Sequence, residues 1–147
     1  MRIAFLNGPN LNLLGQREPE IYGRDSLADI ERAVREAGTT RGVAIEWHQT
    51  NDEGRFVDLI QGLAGTVDGS VVNAAAFTHT SLAIRDAMLA VRLPFVEAHL
   101  SNIFAREPER RRSVLADIAV GVVVGFGAQS YLLALDAIIS HLQRRAT

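Results

Sequence analysis

The chain begins with MRIAFLNGPNLNLLGQREPEIYGR, residues 1–24, and this stretch predicts the class of fold. Residues 3–6 form an apolar run of strand length, and the turn-forming residues 7–10 follow it directly. Residues 15–24 are then largely polar, without a clear period, and carry Gly15 and Gly23. A buried strand, a tight turn and a polar loop together are typical of α/β enzymes that place chemistry at the carboxyl end of a strand. A plain surface loop that packs one tyrosine is the alternative interpretation.

Apolar runs of strand length alternate with amphipathic helical patterns along the rest of the chain. The predicted strands are residues 3–6, 43–47, 70–73, 95–98 and 118–124. The predicted helices run from the cap Ser26 to Gly38, over residues 56–63, over residues 84–91, and from about residue 128 with Leu132, Leu135, Ile139 and Leu142 on one face. Continuous apolar strands between helices are typical of a parallel sheet covered on both faces. We expect one domain over residues 1–147, a flavodoxin-like three-layer α/β/α sandwich with a five-stranded parallel sheet in the order 2-1-3-4-5.

The composition excludes several classes of chemistry. The 147 residues contain neither Cys nor Lys, so all 15 basic residues are Arg. The chain therefore has no thiolate nucleophile, no Cys-ligated metal and no lysine to form a Schiff base. A formal net charge of −2 argues against nucleic acid or an anionic membrane as the main partner. No apolar stretch is long enough to cross a bilayer, and the start lacks a signal-peptide pattern, so we expect a cytoplasmic protein.

Polar side chains follow three of the predicted strands and should meet at one edge of the sheet. They lie in residues 7–10, 73–78 and 99–102. His99 is suited to general acid–base work near neutral pH. Strand alternation places Glu97 on the same side as His99, where its carboxylate can orient the imidazole. The alternative for His99 is a half-buried histidine with a purely structural hydrogen bond.

Other polar residues allow more than one interpretation. A phenolate of Tyr22 would be favoured by the positive charge of Arg17 or Arg24, but Tyr22 could equally be a packed aromatic. Asn10 and Asn73 are short amides at strand ends, suited either to an oxyanion or carboxylate or to simple turns.

The second half of the chain leaves similar alternatives open. His79 and Asp86 would lie two turns apart if one helix spanned them, and they could bind hydroxyls or only cap the helix. The arginines of residues 106–112 suit an anion or a polyol, or else a solvated helix face. No His, Asp or Glu cluster in the sequence has the spacing of metal ligands.

Several motifs, in order along almost the whole chain, resemble those of the type II 3-dehydroquinate dehydratases. They are NGPNLNLLG at residues 7–15, REP at 17–19 with YG at 22–23, residues 49–54, THTS at 78–81 with RDA at 85–87, and EAHLSN at 97–102 with RE at 106–107. The resemblance implies dehydration of 3-dehydroquinate to 3-dehydroshikimate through an enolate, without a metal or organic cofactor, in the shikimate pathway or in quinate catabolism. It also implies a dodecamer of four trimers.

The resemblance also implies roles at matching positions. Tyr22 would remove the proton from C2, and Arg17 would stabilise the phenolate. Asn10 would hold the enolate through a water. His99, oriented by Glu97, would protonate the departing hydroxyl.

Further roles concern binding of the substrate. Asn73 and the backbone amides of Leu100 and Ser101 would hold the carboxylate. The ring hydroxyls would contact His79 and Arg110, and Asp86 would reach the site of a neighbouring subunit.

Four residues depart from the family pattern. Ala75 stands where glycine is usual, and its Cβ would restrict a backbone that approaches the substrate. Pro108-Glu109 alters the approach to Arg110, so that Arg111 or Arg112 could take its place, and Ser130 replaces a glycine. The changes at Ala75 and at Pro108-Glu109 motivate a second hypothesis, a weakly active or inactive paralogue that binds a cyclic polyol acid. A flavodoxin-like protein for flavin or phosphate is the remaining alternative.

Overall fold

The computed structural model describes residues 1–16 and 18–147 and contains one five-stranded parallel sheet in the order β2-β1-β3-β4-β5, which confirms the predicted topology. The strands are β1 (Arg2–Asn7), β2 (Ala44–Gln49), β3 (Gly69–Asn73), β4 (Phe95–His99) and β5 (Gly121–Val124). The helices are α1 (Pro19–Tyr22), α2 (Leu27–Thr40), α3 (Glu53–Leu63), α4 (Leu82–Val91) and α5 (Gln129–Ala146). Short 3₁₀ turns cover Leu11–Leu13, Ala75–His79, Ile103–Ala105 and Pro108–Arg110. In the described part of the chain, every helix is too short or too polar to cross a membrane.

Two hydrophobic cores lie on the opposite faces of the sheet. Alternate residues of β1 separate into them: Ile3 and Phe5 pack towards α2 and α5, whereas Ala4 and Leu6 pack towards α3 and α4. Both β1 and β3 are buried throughout apart from Arg2, as expected for strands covered on both sides. The three-layer sandwich is therefore confirmed.

The register of the central strands brings polar residues to one level at the carboxyl edge of the sheet. Asn7 at the end of β1 pairs with Gln49 on one side and with Asn73 on the other. His99 ends β4, which follows β3 in the sheet. The edge at which the sequence places its candidate chemistry is thus a single polar rim.

Helix α2 begins as predicted but extends further. Ser26 Oγ accepts a hydrogen bond from the Asp29 amide, and the Asp29 carboxylate accepts one from the Ser26 amide, which completes a capping box. The prediction that Gly38 ends the helix is wrong, because α2 continues to Thr40. Gly38 is required by packing instead: a Cβ there would lie 2.6 Å from Ile45 Cγ1 on the adjacent strand β2.

The carboxyl-terminal third differs from the prediction in two details. Strand β5 begins only at Gly121, because the amides of residues 118 and 119 both bond to the Leu115 carbonyl in a turn. On α5, the predicted face is confirmed for Leu135 and Ile139, which are buried, but the centre of the buried face lies to one side of the predicted one. Tyr131, Ala134 and Ile138 are almost fully buried there, while the predicted Leu132 and Leu142 are only partly buried.

Candidate active site

A cavity opens at the carboxyl edge of the sheet, between the turn after β1, the 3₁₀ turn after β3 and the end of β4. Eight of the eleven predicted site residues line it: Asn10, Tyr22, Asn73, His79, His99, Leu100, Ser101 and Arg110. Glu97 lies behind the wall of the cavity, and Asp86 lies outside it on the exposed side of α4. Arg17, the eleventh, is outside the described residues. The predicted convergence on one rim is therefore observed for eight residues that come from five stretches of the chain.

The buried carboxylate of Glu97 holds the ring of His99, as strand alternation predicts. His99 Nε2 lies 2.7 Å from Glu97 Oε1, and the Glu97 side chain is fully buried. Ser113 Oγ also contacts both carboxylate oxygens, at 2.8 and 3.0 Å, and it accepts hydrogen bonds from the amides of Leu115 and Ala116. With its acceptor sites occupied, the single hydroxyl hydrogen of Ser113 goes to Glu97. A carboxylate can only accept, so Glu97 accepts from His99 as well as from Ser113. Nε2 of His99 then carries a hydrogen, and Nδ1 is the nitrogen left for the cavity.

Tyr22, at the end of α1, is held by Arg106, which the sequence analysis considered only as one of the arginines of residues 106–112 and did not place beside Tyr22. Arg106 Nη1 donates a hydrogen bond of 2.8 Å to the Tyr22 hydroxyl, and the guanidinium carbon lies 5.3 Å from the centre of the ring. The cation thus contacts both the oxygen and the π face of Tyr22. The sequence signals for Arg106 were its place in the motif at residues 106–107 and in the arginine-rich segment, and neither indicated a contact with Tyr22.

Asn73, at the end of β3, has its amide orientation fixed by the protein. Its Oδ1 accepts from the Ala75 amide at 3.1 Å, and its Nδ2 donates to the buried hydroxyl of Tyr131 at 2.9 Å. One hydrogen on Nδ2 is left for the cavity. Ala75 has a φ of 50°, in the left-handed region that favours glycine, so this departure from the family pattern carries backbone strain.

His79 lies in the 3₁₀ turn Ala75–His79, whereas Asp86 lies in α4, so the two belong to different elements and not to one helix. The Nδ1 atom of His79 is 2.7 Å from the carbonyl oxygen of Arg112, which can only accept, so Nδ1 carries the hydrogen. In the neutral ring, Nε2 is then an acceptor. The ring centres of His79 and His99 are 6.5 Å apart, and the two ring planes are nearly parallel.

The arginine-rich segment is not the helix face considered from the sequence. Residues 103–110 form two short turns, the second opened by Pro108. Of the three candidate arginines, Arg110 lines the cavity, and a hydrogen bond from its guanidinium to Glu107 raises its pKa. Arg111 bonds instead to the Arg106 carbonyl. Of these three arginines, Arg110 is therefore the one that lies at the cavity.

Close backbone contacts fix the turn after β1. A Cβ on Gly8 would lie 2.3 Å from the Ala74 carbonyl oxygen, so only glycine fits. Asn10 has a φ of 67°, and its backbone amide donates to Asn51 Oδ1. Further along, a Cβ on Gly15 would lie 3.2 Å from the Arg24 carbonyl oxygen, so the two ends of the segment that carries Tyr22 meet. Within residues 1–16 and 18–147, no three His, Asp or Glu side chains lie close enough together to hold a metal ion.

Comparison with known proteins gives one consistent family. A family model described as "Dehydroquinase class II" matches residues 1–139. A 3-dehydroquinate dehydratase from Parasynechococcus marenigrum (strain WH8102) is 57% identical over 144 residues, 98% of this chain and 99% of the relative. One from Geotalea daltonii is 55% identical, over 98% of this chain and 100% of the relative. The crystal structure of a type II dehydroquinase from Butyrivibrio crossotus DSM 2876 is 39% identical with a TM-score of 0.91, covering 93% of this chain and 96% of that one.

Proposed function

The chain belongs to the class II dehydroquinase family, and from this premise we propose that it dehydrates 3-dehydroquinate to 3-dehydroshikimate. The observation that carries the proposal is one cavity that combines two groups for proton transfer. Tyr22 lies there under the Arg106 guanidinium, and His99 is held there by the buried carboxylate of Glu97. A base and an acid on one cavity are what an elimination of water requires.

In the proposed reaction, the phenolate of Tyr22 removes a proton from C2, beside the ketone. The hydrogen bond from Arg106 supports the negative charge on the phenolate oxygen. Arg17 would add a second cation there, by its position in the family motif. The charge that develops on the ketone oxygen forms an enolate, and Asn10 would hold it through a water.

The second step expels the hydroxyl on C1. The enolate re-forms the ketone, a double bond forms between C1 and C2, and the hydroxyl leaves as water with a proton from His99. We assign that proton to Nδ1, because Nε2 is committed to Glu97. Since Glu97 is a carboxylate held by Ser113 as well, it stabilises the imidazolium before the transfer. Without any lysine in the chain the route has no Schiff base, and we propose that it needs neither a metal nor an organic cofactor.

We propose that other groups around the cavity bind the substrate. Asn73 Nδ2 and the amides of Leu100 and Ser101 would hold the carboxylate. His79 Nε2 would accept from one ring hydroxyl, and the Arg110 guanidinium would donate to another.

We further propose a dodecamer of four trimers, in the cytoplasm, in which Asp86 completes the site of a neighbouring subunit. Exposed apolar side chains on β5 and in the turns after β4 and β5 support an assembly, because Val122, Phe126 and Phe104 are 40%, 63% and 58% exposed in the single chain. Light scattering of the purified protein tests the stoichiometry. Inactive Asp86→Ala and Tyr22→Phe subunits, mixed after denaturation and refolded together, should recover activity if sites are shared. Mixtures as inactive as either variant would contradict a shared site.

The decisive assay follows the ultraviolet absorbance of the conjugated enone product after addition of 3-dehydroquinate. We expect turnover by the natural chain, and a loss of at least about 100-fold in kcat for Tyr22→Phe and Arg106→Gln. Arg112→Gln is the matched control, because Arg112 offers only its backbone carbonyl to the site and its side chain is exposed. A control variant as impaired as Arg106→Gln would refute the assigned role.

A second candidate function is favoured by the strained Ala75 beside Asn73. An inactive paralogue that binds a cyclic polyol acid would be stabilised against heat by 3-dehydroquinate without producing the enone. That result would replace the enzymatic proposal.

A further inference from the structure

A directional chain of hydrogen bonds runs beneath the cavity, across the carboxyl edge of the sheet. The Ala75 amide donates to Asn73 Oδ1, Asn73 Nδ2 donates to the Tyr131 hydroxyl at 2.9 Å, and Tyr131 donates to Asn7 Oδ1 at 2.7 Å. Asn7 Nδ2 then donates to the His48 carbonyl at 2.9 Å. The chain thereby links β3, α5, β1 and β2.

The direction of this chain is fixed at both ends. The Ala75 amide can only donate, and the His48 carbonyl can only accept. Rotating the Asn73 amide by 180° would set its Nδ2 against the Ala75 amide, donor against donor. Rotating the Asn7 amide would set its Oδ1 against the His48 carbonyl, acceptor against acceptor. Asn7, Asn73 and Tyr131 are 1%, 3% and 1% exposed, so water cannot readily replace the lost partners.

Tyr131 and Asn7 lie outside the cavity lining, whereas Asn73 is part of it. We propose that Tyr131 and Asn7 are positioning residues that hold Asn73 with a donor, never an acceptor, towards the ligand. The consequence is selectivity for a carboxylate oxygen, which accepts, over a group that must donate. The inference rests on the proposed function, in which Asn73 binds the substrate carboxylate.

The effect of losing this chain is expected mainly in binding. Tyr131→Phe keeps the ring, which stacks 6.0 Å from Phe5 and 5.9 Å from Trp47, but it removes both hydrogen bonds of the hydroxyl. Asn73 then keeps only the bond from the Ala75 amide, so its side chain is held less firmly with Nδ2 towards the ligand. Because the carboxylate is held in the ground state and the transition state alike, KM should rise about tenfold while kcat changes less than about threefold.

The test measures kcat and KM for the natural chain, Tyr131→Phe, Asn7→Ala and the double variant, with Trp47→Phe as control. Trp47 belongs to the same aromatic stack and packs against the same core. We expect both single variants to raise KM, and the double variant to raise it no further than the stronger single, because they break one chain. Trp47→Phe should lower thermal stability and leave KM unchanged.

Three outcomes would overturn the proposal. They are an unchanged KM in Tyr131→Phe, multiplicative effects in the double variant, and an equal rise in KM in Trp47→Phe. If Tyr131→Phe fails to fold, the comparison of Asn7→Ala with Trp47→Phe decides by the same KM criterion. Failure of the proposed function is distinct, because the natural chain itself would then show no turnover.

Discussion

Replacing Ala75 with glycine should stabilise the protein, although an alanine-to-glycine change is normally destabilising. Ala75 has a φ of 50°, and this left-handed conformation costs a non-glycine residue about 1–2 kcal/mol. Glycine removes that cost but gives the unfolded chain more freedom, which offsets about 0.4–1 kcal/mol. We therefore expect Ala75→Gly to raise the free energy of unfolding by about 0.5–1 kcal/mol.

The matched control is the next residue. Ala76 is exposed and its φ is not positive, so Ala76→Gly should lower the free energy of unfolding by about 0.5–1 kcal/mol. Urea unfolding measures both variants, and the contrast of about 1.5 kcal/mol is easily resolved. The bond from the Ala75 amide to Asn73 uses only the backbone, so KM should stay unchanged in Ala75→Gly. If Ala75→Gly is as destabilised as Ala76→Gly, the strain argument is refuted.

Three more predictions follow from buried contacts. Ser113→Ala should lower kcat about 10-fold with a smaller change in KM, because Glu97 loses a hydrogen-bond donor and holds His99 less firmly. Ser113→Thr, which keeps the hydroxyl, should recover activity. An unchanged kcat in Ser113→Ala would contradict this prediction. Burial raises the pKa of the Tyr131 phenol, so stability is full below pH 10 and falls above it, by up to about 1.4 kcal/mol per pH unit, as the unfolded chain loses that proton first. Tyr131→Phe should flatten this alkaline decline in urea unfolding at several pH values. Gly8→Ala should destabilise by at least about 2 kcal/mol or prevent folding, because its Cβ would overlap the Ala74 carbonyl; normal stability by calorimetry would refute it.

The elements that the sequence predicts well are those determined by neighbours in the chain. The capping box of Ser26 and Asp29 spans three residues, and the alternation that pairs Glu97 with His99 spans two. Strand order follows from the general topology of such sheets, and the motif at residues 97–102 places its chemistry at the correct edge.

Contacts between distant segments could not be read from the sequence. Tyr131 meets Asn73 across 58 residues and Asn7 across 124, and Arg106 meets Tyr22 across 84. Only folding determines which of several arginines reaches the phenol. The partly wrong prediction of the buried face of α5 has a similar cause. The apolar residues of this helix allow two neighbouring faces, and the contacts of Tyr131 with β1 and β3 determine which one is buried.

The contact between Gly15 and Arg24 has a consequence for how this family can diversify. Because a chain that leaves at Gly15 returns within van der Waals distance at Arg24, the intervening residues form an interchangeable module with nearly coincident ends. Replacing the whole module by a relative's version, even one of different length, should leave the path from β1 into α2 intact. Natural variation and engineering can therefore alter the segment that carries Tyr22 while the sheet, with His99 at the end of β4, stays as it is.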